Sequence, residues 1–480
     1  MTNNFNEKYG FTLEEWNKCL KVLETLKNDP LNNPNNKQLS GLITKVHKTA
    51  KKKLKTVIID PNYHKNRHSN INKQYKKSIK ALNRQSDLEI IKNSSIVKNA
   101  LTSKSFFQHL LEKISFTPLK TSQNCYICSK NYKELHSFYH KLCPSCATLN
   151  YKYRAIAVDL SGRNIILTGG RVKVGFSTAL RFLRSHANLI ITTRFPALAL
   201  KQFKKEKDYT LWKDKLTIYG LDLRSLSDVE TFIGFYKKNY TSLDILVNNS
   251  AQTIKYTQKY YIPLIEQENK LLLNFKNEIK LITNHRPITN QEINALTYVD
   301  NKAHQKSPLN RFGQPIDFRE KNSWNSTLTE ISTEELLEVN LINQISPYLL
   351  IKAFTPLFKA SSFKEKFIIN ISSSEGQFSY LNKTIYHPHT NMTKSALNML
   401  TRTSALSYQK DNIFISSVDV GWVSTGLRES KRKEIFKNGN IPPLDSVDAS
   451  ARIIHPIYEA IINKNYLFGV LLKNFTTVNW

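Results

Sequence analysis

Four of the five cysteines are grouped within 22 residues as two Cys-x-x-Cys pairs. The pairs are Cys125 with Cys128 and Cys143 with Cys146, and 14 residues separate them. Thiolates on two facing knuckles suit tetrahedral zinc, and a closed four-ligand site leaves no position for water. We therefore predict a structural zinc rather than a catalytic one. His136 and His140 lie in the intervening loop and could replace a thiolate, but with four cysteines present we expect them to stabilise the loop or face solvent.

A second group of residues suits the binding of a dinucleotide. Residues 164–175 read Asn-Ile-Ile-Leu-Thr-Gly-Gly-Arg-Val-Lys-Val-Gly, which predicts a strand, a tight turn and the start of a helix. Glycines let the backbone approach a pyrophosphate, whose charge is attracted by the helix N-terminus. We expect this contact from Thr168, Gly169, Gly170 and Gly175.

The end of the next predicted strand indicates which dinucleotide is bound. An NAD site carries an acidic residue there for the ribose hydroxyls, whereas this chain reads Thr192-Thr193-Arg194. Arg171 and Lys173 in the glycine turn add two cations that would attract a 2′-phosphate. The residues therefore favour NADP(H) as the cofactor.

From about residue 159 onwards, strand and helix patterns alternate, as they do in parallel sheets covered by helices on both faces. The predicted strands are Asn164–Thr168, Leu189–Thr193, Leu216–Leu221, Leu243–Val247, Phe367–Ile371, Ile413–Val418 and Tyr466–Leu472. We predict an α/β fold with a doubly wound, Rossmann-type parallel sheet over residues 155–480. An insertion at about 252–330, with a predicted helix at Glu266–Ile282, could form a lid or a partner surface.

The order of motifs in this region resembles that of the short-chain dehydrogenase/reductase family. The family's glycine fingerprint, Thr-Gly-x-x-x-Gly-x-Gly, is matched at Thr168, Gly169 and Gly175, with Lys173 in place of the middle glycine. Later matches are Asp222 after the third strand, Asn248-Asn249-Ser250-Ala251 after the fourth, and Asp419-Val-Gly-Trp-Val-Ser-Thr425 after the sixth. The resemblance implies cofactor contacts from Asp222, Asn248 and Thr425.

The resemblance also implies a catalytic set. In the family a Ser positions the substrate carbonyl, a Tyr transfers the proton, a Lys lowers the pKa of that Tyr and holds the nicotinamide ribose, and an Asn supports a proton path. Ser373 in Ile-Ile-Asn-Ile-Ser-Ser-Ser-Glu-Gly376, Lys394 and Asn340 match three of these four residues.

The fourth residue, the Tyr, is missing from its expected position. Four residues before Lys394, one helical turn away, stands Thr390, whose hydroxyl is a poor proton donor. The side chains that could supply the proton instead are Tyr386, His389 and His387. Pro388 argues against a continuous helix from Tyr386 to Lys394, so Tyr386 would have to reach in from a loop. The remaining alternative is that no residue replaces the Tyr.

Residues 1–120 are predicted to be a mainly helical, basic region, followed by a small zinc-ribbon-like module at 121–150. The net charge of the chain is +32, and the run from Lys37 to Arg84 holds 14 basic residues and one acid. Such a concentration of positive charge could bind phosphate groups. No aromatic interleaving or recognition motif accompanies it, however, so nucleic acid is not the favoured partner.

The sequence lacks the segments that would direct a protein into or across a membrane. No apolar run reaches the roughly 18–20 residues of a membrane-spanning helix, and the first residues lack a signal-peptide pattern. We therefore expect no membrane partner and a cytoplasmic location, with the nucleus as the alternative.

Two functions remain open from the sequence. The favoured one is an NADP(H)-dependent oxidoreductase that acts on a small alcohol or carbonyl substrate, as a single chain or as a homo-oligomer. The alternative is a dinucleotide-binding module without catalysis, whose zinc ribbon and basic arm contact protein or nucleic acid.

Overall fold

The structure is a computed structural model, and it describes residues 10–28, 36–57, 67–101, 113–275, 281–282, 313–317, 319, 321–380, 383–423, 436 and 441–480. The chain divides into two units, residues 1–78 and 79–480. Within the described ranges, no helix is long and apolar enough to cross a membrane.

From Leu13 onwards, the described residues of the first unit are helical. Its helices are α1 (Leu13–Asn28), α2 (Asn36–Val57) and the start of α3 (Arg67–Lys92). Thr12 and Glu15 cap α1 reciprocally, because the Thr12 hydroxyl accepts from the Glu15 amide at 3.2 Å and the Glu15 carboxylate accepts from the Thr12 amide at 2.8 Å. The side chains of the basic run at 51–55 lie outside the described residues.

The second unit opens with a small antiparallel hairpin. After α4 (Ser95–Leu101) come β1 (Phe116–Asn124), β2 (Asn131–His136) and α5 (Pro144–Arg154). We call residues 113–154 the cysteine module; its first strand starts before the predicted boundary at 121. Asp87 in α3 accepts hydrogen bonds from the amides of Lys120 at 2.9 Å and Thr121 at 2.8 Å, so the end of α3 is attached to this hairpin.

The main sheet confirms the predicted doubly wound α/β class. Its described strands are β3 (Asn164–Thr168), β4 (Asn188–Thr193), β5 (Leu216–Gly220), β6 (Ile245–Asn248), β7 (Leu281–Ile282), β8 (Lys366–Ser372), β9 (Ile413–Asp419), β10 (Leu471–Lys473) and β11 (Thr476–Val478). Their order is β11-β10-β9-β8-β6-β3-β4-β5-β7, and every neighbouring pair is parallel except β10 with β11. The order reverses at β3, which opens a crevice at the carboxyl ends of the strands.

Helices cover both faces of this sheet. They are α6 (Lys173–Arg184), α7 (Pro196–Phe203), α8 (Tyr209–Trp212), α9 (Leu226–Asn239), α10 (Gln258–Asn274), α11 (Thr333–Asn340), α12 (Ser346–Lys359), α13 (Pro388–Gln409) and α14 (Ser446–Ile462). A π-helix, Leu341–Ile345, joins α11 to α12. Successive strand residues alternate between two cores, with Ile165 and Leu167 in one and Ile166 in the other.

The insertion departs from its predicted secondary structure. The predicted helix at Glu266–Ile282 is instead α10 at Gln258–Asn274, while Leu281 and Ile282 form β7 and pair with β5. Pro263 and two tyrosines make the first half of α10 a poor helix candidate. Burial of Ile262 and Leu264 outweighs the low helix propensity of this segment, since tertiary packing supplies most of the stability of a helix.

Candidate active site

The glycine turn after β3 has the tight geometry that a pyrophosphate site needs. Gly169 has a φ of +71°, and a Cβ on Gly175 would lie 2.0 Å from the Gly169 carbonyl oxygen, so neither position tolerates another side chain in this backbone. Lys173, which replaces the family's middle glycine, also has a positive φ of +52°. The backbone thus keeps the glycine conformation although the residue has changed.

The motif after β6 fastens this turn. The Thr168 hydroxyl accepts hydrogen bonds from the amides of Asn249 and Ser250, both at 3.0 Å. The Asn249 side chain in turn donates to the Thr168 carbonyl at 2.9 Å. Asn248 points into the sheet instead, where its amide donates to the Asn370 side chain at 2.8 Å.

The two arginines predicted to meet a 2′-phosphate lie together. Their guanidinium carbons are 5.3 Å (Arg171) and 5.7 Å (Arg194) from the centre of the same Phe195 ring. Arg194 also lies over the ring of Tyr261 in the insertion and donates to its hydroxyl at 3.2 Å. Burial is the main reason why the pKa of Arg171 falls to about 10.

Asp222 lies at the carboxyl end of β5, beside an open cavity of about 400 Å³. Its carboxylate accepts hydrogen bonds from the Arg224 guanidinium at 2.6 and 3.0 Å. Burial alone would raise the pKa of Asp222, but the hydrogen bonds from Arg224 hold it below its usual value. Asp222 therefore stays ionised at this edge of the crevice.

Lys394 and the serines of β8 meet at the next strand end. The Lys394 ammonium group is buried and donates to the Ile371 carbonyl at 2.6 Å, two residues before Ser373. A Cβ on Gly376 would lie 2.8 Å from the Lys394 backbone, so glycine lets the Ser373 turn lie directly on α13. Burial lowers the pKa of Lys394 to about 8.

The three predicted proton donors lie at the start of α13 or just before it. Helix α13 begins at Pro388, so Tyr386 precedes the helix, and its side chain is 40% exposed. The buried His389 has its Nε2 3.3 Å from a Glu335 carboxylate oxygen. His387 stacks on a tryptophan at a centroid distance of 4.4 Å. Within the described residues, none of the three side chains hydrogen-bonds to Ser373 or Lys394.

Thr390, which occupies the expected Tyr position, is buried beside Lys394 on α13. Its hydroxyl has no hydrogen-bond partner among the described residues. The same holds for the buried Ser372 hydroxyl at the end of β8. Two buried hydroxyl groups near Lys394 thus have free hydrogen-bonding capacity.

Asn343 is a site residue that sequence reasoning missed. The predicted Asn340 donates to the Leu336 carbonyl of its own helix at 2.7 Å. Asn343, within the π-helix, accepts from the Gln252 amide at 2.8 Å and donates to the Thr393 hydroxyl at 3.1 Å, next to Lys394. A second Asn three residues after the first was the available signal, since a helix aligns such residues.

The four cysteines converge as the zinc prediction requires. Their sulfur atoms all lie within 4.8 Å of one another, and Cys128 Sγ is 3.7 Å from Cys143 Sγ. Thiolates bound at about 2.3 Å around a tetrahedral zinc stand about 3.8 Å apart. His136 and His140 are buried and outside this group; His136 Nδ1 accepts from the Phe138 amide at 2.9 Å and stabilises the loop.

The cysteine module also reaches the end of β9. The Tyr126 hydroxyl, between Cys125 and Cys128, accepts from the Trp422 amide at 2.9 Å. His140 Nε2 lies 3.2 Å from the Ile441 carbonyl oxygen. Thr425, predicted to approach the nicotinamide, lies outside the described residues.

We compared the chain with models of protein families and with known proteins. A family model described as short chain dehydrogenase matches residues 163–274 and 321–435. An uncharacterised protein of Acanthamoeba polyphaga mimivirus is 31% identical over 375 residues, which cover 72% of this chain and 74% of the relative. A short-chain dehydrogenase of Penicillium roqueforti is 22% identical over 272 residues, covering 55% of this chain and 79% of the relative.

Among solved structures, the NADPH-bound carbonyl reductase from chicken fatty liver is similar with a TM-score of 0.42 and 19% identity. The match covers 68% of this chain and 100% of the reductase.

Proposed function

This chain belongs to the short-chain dehydrogenase/reductase family, and we propose that it is an NADP(H)-dependent oxidoreductase acting on a small alcohol or carbonyl compound. The observation that carries the proposal is the buried Lys394 ammonium group, 2.6 Å from the Ile371 carbonyl at the carboxyl end of β8. Ser373 follows directly, and the glycine turn opens at the same edge of the sheet. A bound nicotinamide supplies or accepts the hydride in such a site.

Each residue has a defined role in the proposed reaction. Lys394 holds the nicotinamide ribose and the Ser373 hydroxyl orients the substrate carbonyl. Asn343, which donates to Thr393 beside Lys394, takes the proton-path role predicted for Asn340, whose amide donates to its own helix. Arg171, with Arg194 beside it, attracts the 2′-phosphate. Arg171 suits this role because it is a buried cation without a hydrogen-bond partner among the described residues.

We propose Tyr386 as the proton donor, with His389 as the alternative. The Tyr386 side chain is 40% exposed and precedes α13, so it can turn towards Lys394 without unfolding a helix. The ring of His389 is buried against Glu335, and the ring of His387 stacks on a tryptophan, so both would have to leave existing contacts.

The test is an NADPH titration followed by a search for turnover. The purified chain should bind NADPH saturably, measured by nucleotide fluorescence, and should oxidise it when pooled carbonyl compounds are added. Lys394→Met should weaken binding and stop turnover. Tyr386→Phe should leave binding unchanged and slow turnover about 100-fold or more.

Tyr380→Phe is the matched control, since Tyr380 is an equally exposed tyrosine of the same loop region and should keep full activity. Full activity of Tyr386→Phe would reject Tyr386 as the donor, and His389→Gln would then be the next variant. A wild-type chain that does not bind NADPH would contradict the proposed function.

A second candidate function is a dinucleotide-binding module without catalysis. It is favoured by the lack of any described hydrogen bond from Tyr386 or His389 to Ser373 or Lys394. Tight NADPH binding without turnover across a broad pool of carbonyl compounds would support this candidate against the first.

We further propose that Cys125, Cys128, Cys143 and Cys146 bind one structural zinc. The 3.7 Å separation of two of the sulfur atoms supports this. With four protein ligands the metal keeps no open position, so its role is to hold the module together.

A further inference from the structure

The insertion brings a carboxylate to the pocket in which the sequence finds none. Glu268 of α10 is 5% exposed, and its two oxygens accept from the amides of Ala197 at 2.6 Å and Leu198 at 2.8 Å. These amides open α7, which begins two residues after Arg194 at the end of β4. Glu268 therefore accepts hydrogen bonds from backbone amides that could otherwise bind an anion.

Arg171 is the counter-charge of this carboxylate. Its side chain is 8% exposed and lies over the Phe195 ring, with no hydrogen bond or ion pair to any described residue. Among the charges around it, Glu268 acts most strongly to keep Arg171 protonated, and Arg194 acts in the opposite direction. Its guanidinium donors are therefore available to a ligand that enters the pocket.

We propose that Glu268 sets the cofactor preference of this pocket. This inference rests on the proposed NADP(H) function. The carboxylate balances Arg171 while the pocket is empty and repels a 2′-phosphate when NADP(H) enters, because both anions then share the same buried cation. NAD(H) carries a 2′-hydroxyl and meets no such repulsion. The insertion thereby limits a preference for NADP(H) that Arg171 and Arg194 alone would make stronger.

A purely structural role for Glu268 predicts something different. As a cap of α7 the side chain would stabilise the helix without distinguishing one nucleotide from another. Glu268→Gln keeps the size and one acceptor oxygen but removes the charge. The ratio of the two nucleotide affinities therefore separates the two roles, whereas overall stability does not.

The experiment measures Kd for NADPH and NADH by nucleotide fluorescence on the full chain and its variants. In Glu268→Gln the ratio of Kd for NADH to Kd for NADPH should rise about tenfold over wild type. Adenosine 2′,5′-bisphosphate and 5′-AMP, used as competitors, should show the same change. Glu266→Gln removes the same charge from an exposed position of α10 and should leave the ratio unchanged.

An unchanged or lower ratio in Glu268→Gln, with both nucleotides still binding, overturns the inference and leaves the proposed function intact. Failure of wild type to bind either nucleotide overturns both. If Glu268→Gln does not fold, Glu268→Ala provides the second arm, because it also removes the charge. The ratio should again rise about tenfold, and an unchanged or lower ratio overturns the inference.

Discussion

At the scale of single residues, the site combines a retained lysine with an altered partner. Lys394 is buried against the end of β8, which lowers its pKa to about 8. Thr390 provides a buried hydroxyl without a hydrogen-bond partner among the described residues, in place of a phenol that a cation could acidify. The proposed reaction therefore needs a proton donor other than Thr390.

Lys173 is a residue whose backbone conformation can be tested directly. A left-handed conformation costs an L-residue roughly 1 kcal/mol, and glycine avoids this cost. Lys173→Gly should therefore raise the free energy of unfolding by about 0.5–1 kcal/mol, measured by urea denaturation. The same change should weaken NADPH binding, because it removes a cation from the glycine turn.

Lys464→Gly is the matched control for this change. Lys464 has a φ of +56°, and its exposed side chain forms an ion pair with Glu365 at 3.6 Å. Its replacement should give a similar gain in stability with no effect on NADPH affinity. Equal NADPH affinity for Lys173→Gly and wild type would show that the Lys173 charge plays no part in binding.

At the scale of elements, the cysteine module is a hairpin and a helix whose cysteines come together. Cys125 and Cys128 lie between β1 and β2, and Cys143 is the residue before α5. The module packs on the end of α3 through Asp87. The proposed zinc would join the two pairs and so fix the hairpin to the helix.

Removal of one sulfur should release the proposed zinc. The wild-type chain should contain about one zinc per chain, and Cys143→Ser should lose it and unfold at a lower temperature, because metal binding supplies folding free energy. Metal analysis and thermal denaturation measure both effects. Cys19→Ser, which changes an exposed cysteine of α1, should keep both the zinc and the melting temperature. Full zinc content in Cys143→Ser would reject the four-cysteine site.

At the scale of the whole second unit, the cysteine module and the main sheet are joined by buried charges. Arg154 of α5 lies 2.7 Å from Asp445 and 2.9 Å from Asp448, at the start of α14. Arg452 of α14 donates to the Asn150 side chain at 2.6 Å. These contacts make the module part of the same packed unit as the main sheet.

Breaking this ion pair should therefore destabilise the unit as a whole. Arg154→Met leaves the buried carboxylate of Asp448 and the half-buried one of Asp445 without their ion pair to Arg154, and such a loss costs about 3–5 kcal/mol. Urea denaturation should register that loss in the sheet and the module together. Lys359→Met removes the exposed ion pair with Asp411 and should cost less than about 1 kcal/mol. Similar costs for the two variants would contradict a coupled unit.

Elements with a local sequence signal were predictable from the residues alone. Apolar runs of the right length predicted β3 as Asn164–Thr168 with the observed bounds, and β8 and β9 within one residue at each end. Buried parallel strands need such continuous runs, so their pattern is readable without a fold. The two Cys-x-x-Cys pairs and the glycine turn are equally local, because their chemistry depends on spacing along the chain.

Contacts between residues far apart in sequence could be found only in the folded chain. Glu268 comes to the end of β4 from the insertion, and no spacing rule predicts a carboxylate supplied from a separate helix. Asn343 became a site residue because a π-helix turns it towards Thr393. Tyr386 and His389 were separated by the start of α13 at Pro388. Long-range packing fixes such positions, and the hydrophobic and spacing patterns of a sequence record it only indirectly.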